Sequence, residues 1–119
     1  MYHIRETSCN DDPNLLEMLK ARATAYEQIC NKNNVNPTVF IWVKKFGNNL
    51  YPKLEFDVGE QELQYDLRAD GTINEVHFKS FEKENGKWVR KDLLKEEANP
   101  VARAIDDLIN PNAIDEEDE

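Results

Sequence analysis

At Pro37 the periodicity of this chain changes, and that change constrains the fold more than any other feature. Before it, Leu16, Leu19, Ala23, Tyr26 and Cys30 recur at spacings of three and four, flanked by Leu15, Arg22 and Ile29. One apolar stripe on a helix from Pro13 to about Lys32 is expected. Asn10-Asp11-Asp12-Pro13 supplies its start: Asp12 can cap the free amides, Pro13 suits the first helical position, and the acids suit the positive end of the dipole. Asn31, Asn33 and Asn34 end it.

Beyond Pro37 the period is two. Val39, Phe40, Ile41, Trp42 and Val43 form a continuous apolar run, the pattern of a central strand covered on both faces. Leu50, Pro52, Leu54, Phe56 and Val58 then alternate with Tyr51, Lys53, Glu55 and Asp57, giving one dry and one wet face; Pro52 has no amide to donate and belongs at an edge or bulge. Leu63, Tyr65 and Leu67 alternate with Glu62, Gln64, Asp66 and Arg68, and Val76 and Phe78 alternate with Glu75, His77 and Lys79. A last short strand surrounds Trp88 and Val89. The turn signals between strands are Gly47-Asn48-Asn49, Gly59-Glu60, Asp70-Gly71 and Asn85-Gly86.

Connections this short pair strands in sequence order. The expected fold is α+β: a four- to five-stranded antiparallel meander packed by one long N-terminal helix. A weak alternation at residues 2 to 6 marks a short first strand. Asn99-Pro100 starts a shorter C-terminal helix that Asn110-Pro111 stops, and Leu93 and Leu94 either join it or begin a separate turn. Residues 1 to 110 read as one domain and residues 111 to 119 as an acidic, disordered tail. The order of a first strand, a long helix and then a meander is similar in layout to the cystatin-like group of α+β folds. The chain carries no Gln-x-Val-x-Gly signature and adds a C-terminal helix, so that likeness is one of topology and implies no activity.

Little in the sequence points to chemistry. The histidines are His3 and His77; His77 falls on a wet strand face, where an exposed side chain is the simpler reading than a general base. Cys9 and Cys30 have no close cysteine neighbour and read as free thiols. Positions 3, 9, 30 and 77 lack the short paired spacing of a zinc site, and no glycine-rich phosphate loop is present, so neither metal nor cofactor is expected. What stands out is an acidic wet face, Glu55, Asp57, Glu62 and Asp66, beside the exposed-looking aromatics Tyr51 and Phe81. Phe40 and Trp42 either extend this surface or, as the favoured reading has it, lie under the C-terminal helix.

The net charge of −9 is unevenly spread. Residues 1–34 carry −1, residues 35–95 are neutral, and residues 96–119 carry −8, with Asp115, Glu116, Glu117, Asp118 and Glu119 in one run. Lys83, Lys87, Arg90, Lys91 and Lys95 cluster near the last hairpin, placed to receive the tail or an acidic partner. The surplus of acid disfavours direct nucleic-acid binding, no apolar run is long enough for a membrane span, and Met1 is followed by no greasy leader; a soluble cytoplasmic protein is expected. The reading that fits best is a non-catalytic protein-binding module, a small inhibitor or immunity-type antagonist whose partner has a basic surface, bound through Tyr51, Phe81, the acidic face and the tail. The alternatives are a nucleic-acid mimic, or a small-ligand binder or minor enzyme using the concave sheet face through Tyr65 or His77. The oligomeric state is open.

Overall fold

A computed structural model describes residues 2–5 and 12–111 of the chain. The elements run β1 (Tyr2–Ile4), α1 (Pro13–Lys32), β2 (Thr38–Phe46), β3 (Asn49–Val58), β4 (Gln61–Leu67), β5 (Ile73–Glu84), β6 (Lys87–Leu93) and α2 (Pro100–Ile109). The strands form one sheet in the order β1-β2-β3-β4-β5-β6. This is the expected α+β class with the longer helix first, but the sheet has six strands, not four or five.

The short first strand expected at residues 2 to 6 is β1, but it pairs parallel to β2, not antiparallel, Tyr2 opposite Val39 and Ile4 opposite Ile41. A helix separates the two strands, and such a crossover returns the chain to the end from which it set out; hairpins reverse it instead. All other neighbours are therefore antiparallel. β2, expected at the centre, stands second from the edge, and the middle of the sheet is β3 and β4. The last hairpin is longer than the apolar pattern implies. Asn85 and Gly86 both take positive φ, 50° and 79°, the twist that suits a two-residue hairpin. The ladder then closes as far as Glu84 opposite Lys87, through charged residues that carry no apolar signal.

The helix ends follow the sequence signals. Asp12 Oδ1 accepts from the amides of Asn14 and Leu15, each at 3.1 Å, and Asn99 Oδ1 accepts from Ala102 at 2.8 Å; each cap satisfies donors that the first turn leaves free. Leu93 closes β6, and Leu94 leads into a single 3-10 turn at Lys95–Glu97 rather than into α2. Pro52 sits opposite Val43 on β2, while the β4 ladder reaches only to Lys53, so Pro52 lies beyond the end of that ladder.

Both helices pack on the same face of the sheet. Leu19, Ala23, Tyr26 and Cys30 of α1 and Ala102 and Ile105 of α2 share one core with Val39, Ile41, Val43, Leu54, Phe56, Leu63, Tyr65 and Phe78. Tyr26, Phe56 and Tyr65 meet edge-on or tilted, with ring centres 5.7–6.4 Å apart. The turn before β5 closes tightly against α1: Gly71 has φ +91°, and a Cβ there would come within 2.6 Å of Arg22 Nε. The residues of opposite parity, Phe40 and Trp42 among them, are left on a face that neither described helix covers. The favoured packing of Phe40 and Trp42 under the C-terminal helix is thus overturned, because α2 lies across β3 and β4 on the other side.

Candidate functional site

The helix-free face is assembled by register. Phe40 stands opposite Glu55 and Trp42 opposite Lys53; Glu55 stands opposite Gln64 and Asp57 opposite Glu62; Glu62 stands opposite Lys79 and Asp66 opposite Glu75; Phe81 stands opposite Arg90. Four of the residues expected on a wet face, Glu55, Asp57, Glu62 and Asp66, do share it, but that face is not uniformly wet. Glu55 is 2% exposed and Glu62 is 0% exposed. They lie in the middle strands, where side chains of neighbouring strands close over them from every side without any helix.

Glu55, Asp57 and Glu62 bring carboxylate oxygens within 4.8 Å of one another. Arg5 donates from Nη2 to Glu55 Oε2 at 2.7 Å, and its guanidinium lies 4.1 Å above the ring of Phe40. Arg90 reaches only to 3.6 Å from Glu62 Oε1, and neither Glu62 oxygen accepts a hydrogen bond. Burial, then the hydrogen bond and negative charge of Glu55 and the charge of Glu62, push Asp57 up to about 8. Burial and Glu55 likewise raise Glu62, against the pull of Arg90 and Lys79. The trio therefore holds a proton at neutral pH, and its cation places are taken by arginine.

A second group lies one pair along the ladders. Lys53 Nζ is 2.8 Å from Asp66 Oδ1, Gln64 Nε2 donates to the same oxygen at 2.9 Å, and His77 Nε2 stands 3.1 Å from Asp66 Oδ2 and 3.1 Å from Glu75 Oε2. Burial raises the Asp66 pKa, but the bonds from Lys53 and Gln64 outweigh it and hold the carboxyl below its ordinary value. His77, read as an exposed strand histidine, is instead held between two carboxylates.

The aromatic residues divide. Tyr51 is exposed on this face, as are Phe46 and Trp88, two residues not among the contact residues expected from the sequence. Phe81 is half-buried beneath Arg90, whose guanidinium lies 5.2 Å from its ring. Tyr65 cannot serve a site on this face: it is fully buried on the helix side and bonds Asp106 at 2.6 Å. The basic cluster near the last hairpin is largely engaged at home, Lys91 with Glu82 and Glu84 and Lys95 with Asp106 and Asp107. Cys30 is buried in the core, and burial raises its thiol pKa. Asp115, Glu116, Glu117, Asp118, Glu119 and Cys9 lie outside the described residues.

No family model, curated protein or solved structure matches this chain. Its function is read from its own residues. Among the described residues no helix is long and apolar enough to cross a membrane. A shallow groove between Tyr2 and α1, lined by Glu17, Lys20, Thr24 and Gln28, opens broadly to solvent, and its Glu17 and Lys20 are paired with each other at 3.3 Å.

Proposed function

We propose that this chain is a non-catalytic binding module that holds a protein partner with a basic surface against the helix-free face of its sheet. The observation that carries the reading is the placing of Phe46, Tyr51 and Trp88, 70%, 43% and 64% exposed, on the sheet face that no described helix covers. Large aromatic side chains among charged ones are what a contact surface uses, since they bury much area with little loss of side-chain freedom. Lys53, Lys79 and Arg90 stand among the carboxylates there, so the face alternates in sign and lacks the continuous negative array of a phosphate mimic. The net charge of −9, of which −8 lies in residues 96–119 and none in residues 35–95, attracts a basic partner at long range and speeds the encounter at low salt.

Cross-linking mass spectrometry on the complex recovered from the cells that make the protein tests this. Links to the partner should start from Lys44, Lys79 and Lys83, which share the uncovered face, and not from Lys20 and Lys32 of α1. Links concentrated on α1, or the absence of any stoichiometric partner at low salt, would overturn it.

A further inference from the structure

Asp66, Glu75 and His77 have the chemistry and the spacing of metal ligands. Asp66 and Glu75 face each other across β4 and β5, and His77 follows two residues on, on the same side. Their ligand atoms all lie within 4.8 Å of one another. His77 Nε2 is 3.1 Å from a carboxylate oxygen on each side. One ring nitrogen carries at most one hydrogen, which can point well at only one of the two oxygens. A cation satisfies all three atoms together: with ligands at about 2.1 Å, tetrahedral and octahedral sites set neighbouring ligand atoms roughly 3.0–3.4 Å apart.

A separate observation comes from Gln64, which is 5% exposed. Its Nε2 donates to Asp66 Oδ1 and so fixes the amide at this cluster, while its Oε1 is buried without any hydrogen-bond partner. An acceptor left so is costly. Gln64 and Lys53 both occupy Asp66 Oδ1 and leave Oδ2 turned to His77, the orienting support that metal-binding carboxylates receive from their surroundings. Lys53 also cancels one carboxylate charge and so moderates affinity. His77 and Glu75 keep 35% and 59% of their side-chain surface, which leaves a way in and open positions for water. The trio of Glu55, Asp57 and Glu62 differs, since Glu55 and Glu62 are buried and already faced by Arg5 and Arg90.

We propose that Asp66, Glu75 and His77 bind one divalent transition-metal ion of the zinc class. An imidazole with two carboxylates favours such ions over magnesium or calcium, which prefer oxygen alone.

Titration calorimetry of the full chain with zinc chloride, in a buffer that does not chelate, tests the site. One ion per chain at micromolar affinity is expected, with affinity falling about tenfold or more in both His77→Ala and Glu75→Gln. Glu75 is exposed, so its variant folds even where the histidine variant does not. Nitrogen-15 spectra of the imidazoles of the unaltered protein give a readout that needs no variant: zinc should shift His77 Nε2. No saturable binding up to millimolar zinc, affinity unchanged in both variants, or a shift at His3 alone would each overturn the proposal.

Discussion

The hydroxyl of Tyr65, in the middle of β4, donates to Asp106 Oδ1 of α2 at 2.6 Å, and Lys95 holds the other carboxylate oxygen at 2.9 Å. Both Tyr65 and Asp106 are buried. Burial, with the Asp106 charge and hydrogen bond, raises the tyrosine pKa far enough that its proton stays in place at any ordinary pH. Tyr65→Phe keeps the ring in the aromatic cluster and removes only the donor, so Asp106 Oδ1 is left buried and unpaired. A loss of about 1–3 kcal/mol in urea unfolding is expected, with Asp106→Asn costing less because it can still accept from the hydroxyl. Equal stability of Tyr65→Phe and the parent chain would show that α2 is held by its apolar contacts alone.

The half-buried Asp57 makes stability depend on pH in an unusual direction. Asp57 titrates near 8 in the folded chain and near its ordinary value of 3.8 when unfolded, so between those values the folded state binds the extra proton. The contribution is present in full below about pH 4 and is lost as pH rises toward 8, the reverse of a salt-bridged aspartate. Asp57→Asn imitates the protonated form and can still donate to Glu55. Its melting temperature should exceed that of the parent by a few degrees at pH 8 and approach it at pH 5. A variant less stable than the parent at pH 8 would mean that the aspartate is ionised there and paired.

The alternation that separates Leu54, Phe56, Leu63 and Tyr65 from Glu55, Asp57, Glu62 and Gln64 is plain in the sequence, and with the turn residues it carries the class of fold. Alternation says which residues share a face, but not whether that face is wet. Burial of Glu55 and Glu62 follows from their place in the two middle strands, under Arg5 from β1's end and Arg90 from β6, contacts that span 50 and 28 positions of the chain. The run Val39 to Val43 likewise announces a strand with two apolar faces; Phe40's cover is a guanidinium, not a helix. The parallel pairing of β1 escapes notice because three residues carry too little pattern. Glu75 and His77 are visibly on one face, yet Asp66 joins them only through a register that shifts between Asp66 and Leu67, across a loop too long for its pairing to be counted from the turn.

Arg5 ties the short parallel strand to the sheet, and its loss should be felt locally. Its guanidinium is half exposed, while Glu55 is not, so Arg5→Ala leaves a buried carboxylate without its main donor and uncovers Phe40. Destabilisation of roughly 1–2 kcal/mol is expected, toward the low end for a pair with one solvated partner. Amide exchange should quicken in β1 and at the Arg5 amide, which bonds Ile41 O at 3.0 Å, more than in β4. Unchanged exchange at β1 would mean that its backbone ladder suffices.

The docking face can be tested apart from folding because its aromatic residues contribute little to the core. Phe46, Tyr51 and Trp88 are exposed, so serine at each position should alter stability by no more than about 0.5 kcal/mol. If they are anchors of a contact, the same changes should weaken binding of the partner by about 2 kcal/mol or more for at least one of them, roughly a thirtyfold loss. Leu94 and Val101 supply the control, being apolar and exposed to a similar degree but outside the helix-free face. Serine there should leave binding unchanged. Binding lost in the Leu94 and Val101 variants and kept in the other three would move the contact to the edge near α2, where the carboxylates of Asp106 and Asp107 are already held by Lys95.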